Sequence, residues 1–376
     1  MDVLIPYGRQ SIDKNDVRAV SEALLSDWLT QGPKVAEFES ALARYCRAKY
    51  AVVYANGTLA LQAAYAAAGL RKGDEFITSP MTFAATATAG LWLGGRPIFA
   101  DIDPRTGNLD PGACARAMTR RTRVLAPIDF AGYPADLTRF KKMARARGVV
   151  VVEDACHALG ASLRGRKVGG ISDMTVFSFH PVKSITTGEG GAVLTNEKRY
   201  HDALLRFRHH GITRGEDWEY SVRNQATNGR ITDFQCALGL SQLKRLDRFI
   251  ARRRELAARY DRLLAGFDEI EPRHSPVEGS SWHLYVLRLR PEYARFRRGL
   301  FCGLRRRGIG VQVHYIPVYW HPLYRGLGYR RGLCPNAEDL YRRILSLPIY
   351  PALTDPLQDR VVRALRDCFK ELLQSP

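Results

Sequence analysis

The feature of this 376-residue chain that most limits its fold is the run VVVVED, residues 149–154. Four β-branched residues in succession suit a strand covered on both faces, the environment of a parallel sheet between layers of helices. Six further short runs have a similar character: AVVY (51–54), EFIT (75–78), PIFADI (97–102), VLAPID (124–129), MTVFSF (174–179) and GAVLT (191–195). Between the earlier runs lie helix-periodic segments at 58–69, 82–93 and 136–147, which serve as the crossovers that parallel strands require. The pattern predicts an α/β fold built on a mostly parallel sheet. Ligands of such sheets bind beyond the carboxyl ends of the strands, which directs attention to Asp154 and Ser178.

The rhythm changes after a long helical pattern from 233 to 264. A strand-like WHLYVLRLR follows, then a helix near 294–307, a strand at 310–314 and two final helices. The division expected is a large α/β domain with an N-terminal arm, 1–245, and a smaller α+β domain, 246–376, with the long helix as the bridge.

Composition removes several classes of function. No apolar run approaches the ~20 residues of a membrane span, and MDVLIPYGRQ lacks the basic and long apolar regions of a signal peptide, so a cytoplasmic protein with no membrane partner is expected. The seven cysteines are scattered, with no CxxC pair, and read as reduced thiols without a metal. His209-His210 has no companion ligands and is not read as a metal pair. A net charge of +19 fits an anionic small substrate as well as a nucleic acid. The basic residues form scattered clusters such as Arg252-Arg253-Arg254 and Arg305-Arg306-Arg307, without a recognisable binding motif, so no nucleic-acid partner is expected.

FSFHPVKSITTGEGG, residues 177–191, joins two strand-like runs and places one lysine, Lys183, in a glycine-flanked loop. Asp154, at the end of the most apolar strand, needs a cationic or donor partner if buried. Asn56-Gly57-Thr58 lies between strand AVVY and a helical stretch, where backbone amides at a helix N-terminus favour an anion, and Ser178 can offer a hydroxyl to the same phosphate. Taken singly, each has an ordinary reading: a solvated loop lysine, a helix cap, a strand-to-helix turn. Together they are the parts needed by pyridoxal 5'-phosphate, whose aldehyde condenses with a lysine and whose ring nitrogen is held protonated by a carboxylate.

The stretches LTQGPKVAEFE, NGTLALQ, SPMTFAATA, FADIDPRTGNLDP, EDACHALGA, FSFHPVKSITTGEGGAVLT, ITDFQCALGLSQL, VHYIPVY and LSLPIYP make the chain similar to the DegT/StrS family of sugar aminotransferases, PLP-dependent transferases of fold type I. The resemblance implies catalytic roles for Lys183, as the Schiff-base lysine, and for Asp154, as the partner of the pyridinium nitrogen. It places Phe83 on the cofactor ring, His157 near the ring hydroxyl, and Gly57, Thr58 and Ser178 on the phosphate. It also implies a homodimer with shared active sites, in which Asn228 of one subunit reaches the phosphate of the other, although this chain reads Asn-Gly-Arg where the family usually has an aromatic before the arginine. Arg230, His314 and Tyr315 are the expected substrate contacts.

Within the family, HPVKSITTGEGGAVLT, HHGIT and SSWHLYV most resemble the branch that aminates C-4 of a UDP-4-keto-6-deoxy-N-acetylhexosamine, with L-glutamate as donor, on the route to pseudaminic acid. The alternatives are an aminotransferase for another UDP- or dTDP-4-keto-6-deoxy sugar, a PLP-dependent sugar dehydratase, against which Lys183 itself argues, and a regulatory relative.

Overall fold

The computed structural model describes residues 5–272 and 279–374. The first nine strands are β1 (Tyr50–Tyr54), β2 (Glu75–Thr78), β3 (Arg96–Phe99), β4 (Thr122–Ala126), β5 (Val150–Asp154), the short ribbon β6 (Ser162–Leu163) and β7 (Arg166–Lys167), β8 (Met174–Ser178) and β9 (Gly191–Thr195). Seven of them form one sheet in the order β1-β9-β8-β5-β4-β2-β3. Only β9 runs against the rest, pairing antiparallel with both β1 and β8. The other neighbours are parallel, as the crossover helices require.

The sheet is buried on both faces, which is why its strands read as apolar runs rather than as alternations. Val52, Val124, Val152, Val176 and Val193 belong to one apolar cluster with the helix Gly57–Ala67. Other strand residues turn the opposite way. Val53, Phe177, Ala192 and Leu194 pack with the helix Pro33–Cys46, and Ile77, Leu125 and Val151 pack with the helix Leu137–Arg145. The crossover helices at 58–69, 82–93 and 136–147 are observed as Gly57–Ala67, Ala84–Trp92 and Leu137–Arg145.

The long helical pattern is not one helix. It divides into Asp233–Leu243 and Leu246–Leu264, with the break at Lys244 and Arg245. The Arg245 side chain reaches the N-terminal segment, pairing with Asp13 at 2.8 Å, with buried Asp16, and with the Ser11 carbonyl at 3.1 Å. The first of these helices also caps another: the Asp233 carboxylate accepts from the Gly32 and Lys34 amides at 2.8 and 3.0 Å, covering donors at the start of Pro33–Cys46.

Beyond it, the strand expected at 310–314 is absent, and only an isolated bridge joins Gln312 to Ser346. The strand-like WHLYVLRLR is strand over Tyr285–Arg288, and its antiparallel partner is Ile344–Leu347, a strand that local pattern did not indicate. Helices Arg297–Arg306 and Asp355–Gln374 cover this ribbon. Arg253, fully buried on the helix Leu246–Leu264, donates to the carbonyls of Trp282, His283 and Ile349 at 3.3, 3.3 and 2.8 Å, tying the ribbon ends to the helix. Burial, with no anionic partner among the described residues, pulls its guanidinium down to about 10. No helix among the described residues is long and apolar enough to cross a membrane.

Candidate active site

A cavity of about 930 Å³ opens beyond the carboxyl ends of β5 and β8. Its lining brings together Gly57, Thr58, Phe83, Asp154, His157, Ser178, Lys183, His314 and Tyr315, residues drawn from across more than 250 positions of sequence.

One wall is the turn between β1 and the helix Gly57–Ala67. Asn56 caps that helix by accepting the Leu59 amide at 2.9 Å, so the amides of Gly57 and Thr58 are not used by the helix itself. Ser178, at the end of β8, faces the same turn: a Cβ placed on Gly57 would stand 3.0 Å from the Ser178 Cβ. Two free amides, a hydroxyl and a helix N-terminus suit a phosphate. Gly191 permits this approach, since a side chain there would begin 2.6 Å from the Asn56 carbonyl oxygen.

Asp154 ends β5 with 6% exposure. One carboxylate oxygen accepts the Thr86 hydroxyl at 2.6 Å and the other the Cys156 amide at 3.2 Å. Thr86 is itself 2.7 Å from the Thr82 hydroxyl, so a short chain of hydroxyls orients the carboxylate. Phe83 lies between these two threonines in sequence and is 64% exposed, with an open ring face in the cavity.

Lys183 is held by its loop. Its amide donates to the His180 carbonyl at 2.9 Å, Thr187 donates to Phe179 at 3.0 Å, and Phe179 to Gly190 at 2.8 Å. Gln235 clamps the far side through the Glu189 carbonyl at 2.9 Å. Burial lowers the Lys183 ammonium below the ordinary lysine range, opposed by Cys156 and by the charge of Asp154.

On the third wall, Tyr315 Oη lies 3.0 Å from His157 Nε2, and the His157 and His283 rings are 4.3 Å apart. His314 bonds Ser346 at 2.8 Å through Nδ1, and burial pulls it down to about 4. Burial also holds His157 and His283 well below the usual histidine range, so these rings are neutral at pH 7.

Two of the expected residues do not line this cavity. Asn228 is exposed and bridges to His209, and Arg230 bonds the His209 ring at 2.8 Å beside a separate hollow of about 270 Å³ shared with Gln31, Glu39 and Arg208. Conversely, Tyr7, Thr86, His283 and Gln312 line the main cavity and were not singled out in the sequence. Thr86 stands three positions after Phe83 and His283 within WHLYV, so both lie inside quoted stretches. Tyr7 and Gln312 carry no local signal.

Behind Asp154, the alternation of β5 turns Glu153 to the opposite face, where it meets Asp129. Both are fully buried. Glu153 accepts the hydroxyls of Ser172 and Thr175 at 2.9 and 2.7 Å, and Asp129 accepts the Ala135 amide at 2.8 Å. The remaining oxygens, Asp129 Oδ2 and Glu153 Oε1, have no other donor among the described residues. Two carboxyls bond only if one holds a proton. Burial, then the adjacent Glu153 charge, raises Asp129 well above the usual carboxyl range, so the proton resides there.

The sequence profile of the DegT/DnrJ/EryC1/StrS aminotransferase family matches residues 10–366. The chain is 38% identical to the spore coat polysaccharide biosynthesis protein SpsC of Bacillus subtilis, across 97% of each. It is also 38% identical to the UDP-4-amino-4,6-dideoxy-N-acetyl-beta-L-altrosamine transaminase of Campylobacter jejuni, across 92% of this chain and 93% of the relative. Among solved structures, Helicobacter pylori PseC, an aminotransferase involved in the biosynthesis of pseudaminic acid, superposes with a TM-score of 0.94 at 34% identity, covering 98% of this chain and 99% of that one.

The carboxyl pair makes a pH-dependent prediction. A group with a raised folded pKa stabilises fully below its unfolded pKa of about 3.9 and loses that contribution as pH rises through the folded value. Asp129→Asn keeps a donor toward Glu153 without a proton to lose. Its thermal stability should match the wild type near pH 4 and exceed it increasingly toward neutrality, by up to about 1.4 kcal/mol per pH unit. Parallel profiles of melting temperature against pH for the two proteins would show that Asp129 is ionised.

Proposed function

Because the chain belongs to the DegT/DnrJ/EryC1/StrS aminotransferase family, we propose that it moves an amino group from L-glutamate to C-4 of a UDP-4-keto-6-deoxy-N-acetylhexosamine, using pyridoxal 5'-phosphate held in the 930 Å³ cavity. Aminotransferases of this family use that cofactor. The observation that carries the reading is the convergence of Lys183, Asp154 and the Gly57–Thr58–Ser178 turn on one cavity. Similarity to the Campylobacter transaminase and to PseC supports the sugar.

The residues fit the cofactor by their chemistry. The Gly57 and Thr58 amides and the Ser178 hydroxyl would take the phosphate, Asp154 the ring nitrogen, Phe83 a ring face, and Lys183 the aldehyde carbon. When bound, pyridoxal 5'-phosphate supplies an aldehyde that carries the amino group and a ring that disperses the electron pair released at the neighbouring carbon. Asp154, oriented by Thr86, would accept from the ring nitrogen and so favour its protonated form. With the cofactor bound, the Lys183 amine would serve as the base that takes a proton from the donor carbon and the acid that gives it back, and its lowered pKa favours the free base this task needs. In the second half-reaction the same amine works in reverse on the sugar. The excess of 57 Lys and Arg over 38 Asp and Glu favours approach of a diphosphate.

The rest of the proposal concerns assembly and location. Asn228 and Arg230, outside the cavity of their own chain, serve the cavity of a second copy, so the working unit is a homodimer. A larger N-terminal part divides from a smaller C-terminal one near residue 245, supported by the helix break at Lys244 and Arg245. A cytoplasmic location agrees with seven unpaired cysteines.

Purified protein assayed with glutamate against a panel of UDP- and dTDP-4-keto-6-deoxy sugars should form 2-oxoglutarate with the altro-configured UDP-N-acetyl sugar at a kcat/KM at least about tenfold above that with dTDP-4-keto-6-deoxyglucose. A preference for the dTDP sugar would discard the substrate while keeping the reaction class. Subunit mixing addresses assembly. Lys183→Ala and Asn228→Ala chains, each with little activity alone, should regain activity as heterodimers, in which one site has both residues intact. Heterodimers as inactive as their parents would exclude Asn228 from the partner's site.

A further inference from the structure

Tyr315 and His157 share one hydrogen bond, and which of them donates it decides which faces the ligand with a proton to give. His157 is 7% exposed, and its Nδ1 is buried without a partner among the described residues. Its ring is neutral, so it carries a single N–H. A proton on Nδ1 would leave a buried donor unbonded, the rarer and costlier defect. A proton on Nε2 is donated to Tyr315 Oη at 3.0 Å and leaves only a lone pair unmatched. Tyr315 then keeps its own O–H, with no acceptor for it among the described residues, on a ring that lines the cavity.

We propose that Tyr315 donates the hydrogen bond to the ring oxygen of the bound cofactor, and that His157 is a positioning residue that holds the phenol through Nε2–H. The inference rests on the cofactor reading above. In pyridoxal 5'-phosphate the ring hydroxyl is adjacent to the carbon that bears the aldehyde and lies on the side away from the phosphate arm. A donor to it belongs near the lysine, and His157 feels the Lys183 charge. The titratable groups facing the pair are Asp154, Cys156 and Tyr7 on the Tyr315 side, and Lys183, His283 and His314 on the His157 side. The arrangement also makes the phenol a better donor, since an oxygen that accepts a hydrogen bond gives its own proton more readily.

The test is a pH titration of the visible absorption of cofactor-loaded protein, which reports how firmly the lysine nitrogen holds its proton beside the ring oxygen. A hydrogen bond to that oxygen draws off negative charge and lowers the midpoint. Tyr315→Phe should raise the midpoint by about one pH unit. His157→Ala should raise it by less, and the double variant no further than Tyr315→Phe alone. Placing 3,5-difluorotyrosine at 315, which keeps the shape and strengthens the donor, should lower it, and that sign decides the matter if Tyr315→Phe does not fold. An unmoved midpoint in Tyr315→Phe, or shifts that add in the double variant, would overturn the proposal and make His157 the direct donor. Wild-type protein that gains no visible band with the cofactor would remove the cofactor reading and this proposal with it.

Discussion

A carboxylate buried at the end of a central parallel strand is the constraint around which this molecule is arranged. Asp154 is almost fully buried, and among the described residues its carboxylate oxygens accept from a threonine hydroxyl and a backbone amide. Neither is a cation, and an ionised carboxylate in such a place is costly unless a positive group completes it. The protein meets part of that demand with Lys183 in the same cavity. The proton retained by Asp129 meets another part, because three ionised carboxyls packed around β5 would repel one another. A ring nitrogen that gains a proton on binding would supply the rest.

The sheet topology follows from the same need. With only β9 reversed, β8 and β9 are joined by a loop that returns over the end of the sheet, and this loop carries Lys183. Gly191 lets the start of β9 lie against the turn at Asn56, so the lysine, the carboxylate and that turn come from strands β8, β5 and β1 within one region. Side-chain packing on both faces of the sheet then fixes these positions to within the tolerance of the core, which a loop site alone would lack.

Much of this was legible in the sequence where apolar runs are bounded by turn residues. EFIT and GAVLT are strands at the predicted positions, 75–78 and 191–195. The residues of the lysine loop, the strand-end carboxylate and the phosphate turn could be named because each sits at a junction whose chemistry is local. What escaped depends on distant partners. Helical periodicity runs on through 233–264, while at the break the Arg245 side chain pairs with Asp13 and Asp16, more than 200 residues away. Ile344–Leu347 becomes a strand by pairing with Tyr285–Arg288. His283 and Tyr7 reach the cavity through tertiary packing, so no spacing rule could have assigned them.

Lys183 is the residue proposed to bind the cofactor covalently. The direct measurement is borohydride reduction of protein loaded with pyridoxal 5'-phosphate, followed by peptide mapping by mass spectrometry. A single pyridoxyl label is expected, on Lys183 in the FSFHPVKSITTGEGG segment, with Lys183→Ala unlabelled but still binding the cofactor weakly. A label on another lysine, or loaded protein that takes none, would contradict it.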